Sequence, residues 1–363
     1  MENQQRYIRQ MILPGFGLTA QENLARARVL IVGMGALGCP ALQYLVGAGV
    51  GEIGIVDPDL VSESNLHRQL LYGPADIGKS KVAIAAGAMQ LQNPAIQIST
   101  YPIAIERQNV LNLLEGYDLV IDATDNFQAK YLLNDAAAIL DIPLIYGAVT
   151  RYQGQVSVFH FPDQDNISYS YRDLFPVEPV DAISGSCESL GVIGVLPGII
   201  GCLQAAEAIK IITGIGKSLA GRLYTHDFLE TTNYEIAIQK NQQIQSMTRD
   251  AFLLTDNHAM IDLDEIDVEE VSVETFLELK NKGQVFVLDV REREEYPPID
   301  FSDAQIPMSE LGQQIDSLPN KDICVICHQG IRSVYAAQQI QAKKNVKTYS
   351  LKGGIIAYFN KTT

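Results

Sequence analysis

The residues Cys327-His328-Gln329-Gly330-Ile331-Arg332-Ser333 have the types and spacing for sulfur chemistry. They follow the apolar, β-branched run Ile323–Ile326 and precede a helical pattern. A strand-to-helix loop with a glycine and an arginine can surround one sulfur with backbone amides and positive charge, which stabilises a thiolate or an anionic persulfide. The same stretch spells Cys324-Val325-Ile326-Cys327-His328, the C-x-x-C-H of covalent haem attachment, and its C-x-x-C also occurs in redox and zinc sites. Those readings are weak: Cys324 falls inside the strand pattern, no export signal precedes it, and no second cysteine pair completes a zinc site.

A second constellation lies near the N-terminus. Gly33-Met34-Gly35-Ala36-Leu37-Gly38 is a full G-x-G-x-x-G between a strand pattern and a helix pattern. Such glycines let the backbone approach a phosphate, and the following helix N-terminus supplies amide donors. Asp57 ends the next strand, where a ribose-binding carboxylate is expected. Alone, the turn supports only a nucleotide site, and a nicotinamide-dependent oxidoreductase is its default owner. Three clusters argue for a triphosphate instead: Asn65-Leu66-His67-Arg68-Gln69, Gly78-Lys79-Ser80-Lys81 and Asp122-Ala123-Thr124-Asp125-Asn126. They offer cations for phosphates and a carboxylate for Mg²⁺. The bland alternatives are surface cations at Arg68 and Lys81 and a helix cap at Asp122.

The elements that must position these residues alternate. Strand patterns at 28–32, 53–56, 96–101, 119–121 and 144–146 are interleaved with helix patterns at 36–47, 80–92 and 130–140. This βαβ rhythm predicts an α/β fold with a Rossmann-like, mostly parallel sheet, and functional residues beyond the carboxyl ends of its strands. A polar, then acidic stretch reads as a linker at 246–270, separating a first domain at 1–245 from a smaller α/β domain at 271–363. In the second, 272–280 reads as a helix and 285–288 and 323–326 as strands.

Composition narrows the function classes. The 363 residues suffice for two cores, with 47% hydrophobic and 19% charged residues. A formal charge of −16 argues against a nucleic-acid partner. The longest apolar stretch, 190–203, is glycine-rich, interrupted by Pro197 and short for a membrane span, so no membrane association is expected. Five scattered cysteines imply no disulfide framework and point to a reducing, cytoplasmic setting.

The run from Arg6-Tyr7-Ile8-Arg9-Gln10 through the glycine turn, Asp57, Asn65, Arg68-Gln69, Lys81 and Asp125 resembles the MoeB/ThiF branch of the ubiquitin-activating superfamily over about residues 3–240. The resemblance implies ATP-dependent adenylation of the Gly-Gly carboxylate of a ubiquitin-like sulfur-carrier protein. It implies that Asp57 holds the ribose, that Asn65, Arg68 and Lys81 contact phosphates, and that Asp59 and Gln69 complete the ATP site. Asp125 would hold Mg²⁺, and Arg9 would reach ATP across a homodimer interface. The family commonly carries two Cys-x-x-Cys pairs for structural zinc. Here Ser170-Tyr171-Arg172-Asp173 stands where the first should fall, and 242–246 has no cysteine for the second, so no zinc is expected. Cys187, in Ser184-Gly185-Ser186-Cys187-Glu188, matches the family's activating-domain cysteine; a merely buried or exposed thiol is an equal alternative. Cys39 and Cys202 read as packing residues.

Residues 271–360 resemble a rhodanese domain through Leu288-Asp289-Val290-Arg291-Glu292-Arg293-Glu294-Glu295-Tyr296, the Cys327 loop and Leu351-Lys352-Gly353-Gly354-Ile355. The resemblance implies sulfur transfer from a Cys327 persulfide, with Arg332 in its loop and a cysteine desulfurase or thiosulfate as donor. It departs from the family at Phe301-Ser302-Asp303-Ala304-Gln305-Ile306-Pro307, where Gly-His-Ile-Pro-Gly-Ala is usual. The carrier's pathway stays open among molybdenum cofactor, thiamine, tRNA thiolation and amino-acid sulfuration. Two rival functions remain: the nicotinamide oxidoreductase, and a non-catalytic docking module for a ubiquitin-like protein.

Overall fold

The computed structural model describes residues 4–176, 191–241, 248–254, 268–291, 293, 295, 297–328, 330–344 and 346–362. The chain divides into two compact units, one ending at Leu254 and the other containing the C-terminal residues from Thr255.

The first unit holds eight strands: β1 Arg28–Val32, β2 Glu52–Val56, β3 Gln97–Tyr101, β4 Leu119–Asp122, β5 Leu144–Thr150, β6 Gln153–Phe159, β7 Arg222–Asp227 and β8 Thr232–Ala237. Their order is β3-β2-β1-β4-β5-β6-β7-β8. β1 to β5 pair in parallel, and β6 to β8 extend the sheet antiparallel. Alternate residues of β1 serve opposite faces: Val29 and Ile31 join one core cluster, Leu30 and Val32 the other. Because both faces are covered, β1 reads as a continuous apolar run. Full burial of Leu30 or Ile31 contributes about 1.5–3 kcal/mol each.

The helix Val195–Thr213 is long and apolar enough to cross a membrane by length and composition. It is nevertheless a core helix: Leu196, Ile200, Ala205 and Ala208 pack in the cluster with Ile31. Its buried Gln204 donates to Asp122 O and Ile145 O at 2.6 and 3.2 Å, and its buried Glu207 accepts from Leu219 N at 2.8 Å.

The second unit is a parallel five-stranded sheet, β9 Glu269–Val271, β10 Phe286–Asp289, β11 Ala304–Gln305, β12 Ile323–Ile326 and β13 Thr348–Leu351, ordered β11-β10-β12-β13-β9. Its helix Val273–Asn281 begins where Ser272 Oγ accepts from Thr275 N at 3.3 Å.

Within 246–270, expected to be linker, the described residues at either end belong to structured elements. The helix Arg249–Leu254 buries Phe252 in the first unit, where Arg107 stacks 4.6 Å over its ring and donates to its carbonyl. At the other end, Glu269 and Glu270 belong to edge strand β9, paired with β13. The acidic side chains stay exposed while Val268 and Val271 are buried, so a charge-rich segment still contributes to a core.

Candidate functional site

Strand order reverses between β1 and β4, both central and parallel, and a crevice outside their carboxyl ends is where open α/β sheets bind ligands. The glycine turn follows β1 at this point. Gly33 has φ +98°, and a Cβ there would meet Ala123 O at 2.5 Å; one at Gly38 would lie 1.9 Å from Gly33 O. Only glycine fits this close crossing of the two loops.

Asp57 fastens the turn. Its Oδ2 accepts from Met34 N at 2.7 Å and its Oδ1 from Asp59 N at 2.8 Å. Burial pushes this carboxyl up, against the opposing pull of Lys81 and the two amides. Lys81, at the first position of helix Lys81–Gln92, is buried, and its Nζ lies 2.7 Å from the exposed Asp59 Oδ2. Buried Asn65 accepts from Ser62 N at 3.2 Å, and its carbonyl accepts from Arg68 N and Gln69 N. Gln69 places Nε2 3.5 Å from the Cβ position of Gly35, and its buried Oε1 has no hydrogen-bond partner. Such an orphaned acceptor beside a glycine turn suits a ligand that can donate to it. Half-buried Arg68 donates to Ser64 O at 2.8 Å.

Asp122 and Asp125 have different situations. Asp122 is buried and accepts from Thr124 N and Thr124 Oγ1 at 3.0 and 2.6 Å. Lys130, which the sequence reading passed over, spends its three ammonium hydrogens on Asp122 Oδ2, Thr124 O and Gly147 O at 3.1, 2.9 and 2.9 Å. Thr124 is thus held through both its amide and its carbonyl. Asp125 follows it, exposed, and Asn126 caps the next helix by accepting from Ala129 N at 2.8 Å. The only signal for Lys130 in the sequence was a lone lysine in a largely apolar helix.

Arg9 is exposed on the helix Gln4–Met11, which Tyr7 and Gln10 attach through Asn93 Nδ2 and Ala48 O, both at 2.8 Å. Cys39 is buried and its thiol is pushed up to about 12 by that burial, consistent with packing. Cys202 is only partly buried in its helix. Cys187 lies outside the described residues, as do 242–246 of the expected second zinc pair.

The segment that lacks the first zinc pair is held by polar contacts. Asp173, its side chain fully buried, accepts from Asn241 N through Oδ1 and from Lys240 Nζ through Oδ2, each at 3.0 Å, and it also caps Ser170 N. Asn134 Oδ1 accepts from Ser170 Oγ and Tyr171 N and lies 3.0 Å from His160 Nε2. Arg172 forms two hydrogen bonds to Asp135, at 2.8 and 2.7 Å. Among the described residues, no group of three or more His, Cys, Asp or Glu is arranged to hold a metal ion.

In the second unit, Cys327 follows β12 and is 1% exposed. Its Sγ accepts from Gly330 N at 3.1 Å and Ser333 N at 3.3 Å, the latter in the first turn of helix Ile331–Lys343. Gly330 can turn there because it adopts φ +92°. The sequence reading surrounds the sulfur with backbone amides and the positive charge of Arg332; the structure pairs that guanidinium with Glu295 at 2.5 and 2.6 Å, and sets the amides of Gly330 and Ser333 and the Ser333 hydroxyl against the sulfur. Cys324 and Cys327 belong to different core clusters, on opposite faces of the sheet. Burial pushes the Cys324 thiol up to about 12. The C-x-x-C spacing therefore brings no two sulfurs together.

Comparison with known proteins finds the ThiF family over residues 7–246 and the rhodanese-like domain over residues 272–361. A sulfur carrier protein adenylyltransferase of Thermus thermophilus is 48% identical over 66% of this chain and 89% of its own length. The probable adenylyltransferase/sulfurtransferase MoeZ of Mycobacterium tuberculosis is 36% identical over 97% of this chain and 92% of its own length. Among solved structures, MccB of E. coli with MccA-N7isoASN superposes with a TM-score of 0.57 at 19% identity, over 67% of this chain and 74% of that one, a likeness of fold alone.

Proposed function

The chain belongs to the ThiF family and carries a rhodanese-like domain behind it, and from that premise we propose that it adenylates the C-terminal Gly-Gly carboxylate of a ubiquitin-like sulfur-carrier protein and then converts it to a thiocarboxylate. The observation that carries the first half is Lys81, a buried cation paired with Asp59, next but one to the Asp57 that fastens the glycine turn. A dinucleotide pyrophosphate can be held by a helix N-terminus, whereas a departing pyrophosphate needs a cation.

ATP would lie along the turn, its ribose at Asp57 and its phosphates toward Asn65, Arg68 and Lys81, with Gln69 Oε1 and Asp59 completing the contacts. Asp125 would hold Mg²⁺, which supplies charge neutralisation on the phosphates. The carrier carboxylate is already ionised, so no general base is required. Its oxygen bonds to the α-phosphorus while the bond to the β-phosphate oxygen breaks, and Lys81 and Arg68 stabilise the departing charge. Lys130 and Asp122 hold Thr124, and through it the backbone that carries Asp125.

In the second half, the terminal sulfur of a Cys327 persulfide attacks the acyl carbon and AMP leaves. A thiolate, for which Cys187 is the candidate within the chain, then attacks the Cys327 sulfur of the acyl disulfide. The thiocarboxylate departs, a disulfide to Cys327 remains, and two external thiols reduce it, leaving as their own disulfide. A cysteine desulfurase or thiosulfate would supply the persulfide. The working unit would be a cytoplasmic homodimer in which Arg9 reaches the partner's nucleotide.

Mass spectrometry of candidate Gly-Gly-ending carriers incubated with the protein, ATP·Mg²⁺ and a sulfur donor tests the reading. The expected product gains the mass of sulfur in place of oxygen. Cys327→Ala is expected to keep carrier-dependent pyrophosphate exchange and lose that product, and Asp125→Ala to lose exchange. Normal exchange by Asp125→Ala, or normal sulfur transfer by Cys327→Ala, would overturn the corresponding half. Tight binding of NAD with none of ATP·Mg²⁺ would favour the oxidoreductase, and carrier binding without turnover the docking module.

A further inference from the structure

Behind the sulfur of Cys327 lie two fully buried hydroxyls on different elements. Ser333 belongs to the helix Ile331–Lys343 and Ser350 to β13, and both are 0% exposed. Ser333 Oγ lies 3.4 Å from Cys327 Sγ, 3.0 Å from Gly330 O and 2.8 Å from Ser350 Oγ. Ser350 Oγ is in turn 3.5 Å from Gly330 O. Two hydroxyl hydrogens therefore serve one sulfur, one carbonyl and each other, so the state of the sulfur decides how they are shared.

We propose that Ser350 is a positioning residue for the sulfur of Cys327, acting through the hydroxyl of Ser333. The inference takes the sulfur-carrying role of Cys327 from the proposed function. In the thiol state the Cys327 S–H donates to Ser333 Oγ, and Ser333 donates to Gly330 O. In the thiolate state, which accepts the incoming sulfur, Ser333 O–H turns to Sγ, joining the amides of Gly330 and Ser333. Ser350 donates to Ser333 Oγ throughout, which polarises that hydroxyl and makes it a stronger donor to the anion. No bond is made or broken by the switch: one hydroxyl rotates, and the proton lost by the thiol goes to solvent or to the incoming donor's leaving group. Because both oxygens are buried, water cannot replace a missing partner without entering the core.

The test reads the sulfur directly. Iodoacetamide alkylation of Cys327 in the full chain is followed by peptide mass spectrometry across pH, with neither carrier nor ATP present. Ser350→Ala is expected to slow Cys327 alkylation about fivefold at neutral pH, the loss of one hydrogen bond's worth of anion stabilisation, and to match the wild type at alkaline pH. Ser350→Thr, which keeps the hydroxyl, restores the wild-type profile. Ser350→Cys, close in volume with a weak donor, reports the same loss should the alanine variant fold poorly. A profile identical to wild type in Ser350→Ala or Ser350→Cys overturns the proposal, as does equal slowing at all pH values, which marks a general loosening of the loop. Wild-type protein that never transfers sulfur overturns the proposed function and leaves the alkylation result to decide the role of Ser350.

Discussion

Lys81 Nζ lies 2.7 Å from Asp59 Oδ2 in an ion pair whose lysine side chain is 6% exposed and whose aspartate is 61% exposed. The pair keeps a buried ammonium satisfied while leaving its counter-ion open to water. On the proposed reading, an incoming phosphate would recruit the lysine without first moving it out of the core.

Replacing Lys81 by alanine should lower carrier-dependent pyrophosphate exchange by about a hundredfold at saturating ATP, the scale for losing one preorganised electrostatic contact to a developing charge. Asp59→Ala should cost less, because it removes a partner and leaves the cation in place. Steady-state exchange rates check both, and a Lys81→Ala enzyme within threefold of wild type refutes the assignment.

Asp173 gathers Lys240 Nζ, Asn241 N and Ser170 N on one buried carboxylate. Asp173→Ala leaves two amides without their acceptor and should destabilise the first unit by about 2–4 kcal/mol. Lys240 is half exposed, so Lys240→Ala should cost about 1 kcal/mol or less. Urea unfolding midpoints separate the two.

Burial holds the His160 imidazole down from 6.5 to about 4. The unfolded chain then takes up a proton at higher pH than the folded one. His160 thus contributes no pH dependence above about 6.5, and stability falls as pH drops from 6.5 toward 4, by up to about 3 kcal/mol. His160→Gln should flatten that part of the stability–pH curve, which thermal or urea unfolding over the range measures.

Cys324→Ala should leave persulfide loading of Cys327 unchanged, since the two sulfurs face different cores. It should lower stability by about 1 kcal/mol, the cost of one small buried group. Persulfide mass spectrometry is the readout; loss of loading would restore a dithiol reading of the C-x-x-C.

Much is legible in the sequence alone. The turn Gly33–Gly38, the strand ending at Asp57 and the loop after Ile326 announce themselves through glycine spacing and abrupt ends of apolar runs, which are local signals. The structured ends of the expected linker were not legible because composition reports solvent preference and not pairing: Phe252 finds a core, and Glu269 and Glu270 extend a sheet edge while their side chains stay in water.

The sequence by itself determined the fold class, the two chemistries and the residues that close each loop, because period, glycine placement and residue type are properties of short stretches. Only the tertiary structure decided the partners. It set Glu295 against Arg332, Asp59 against Lys81, Lys130 beneath Thr124, Asp173 across from Lys240, and Ser350 behind Ser333. The reason is physical: a buried charge or hydroxyl must be satisfied, and the group that satisfies it can come from anywhere in the chain that the fold brings within about 3 Å.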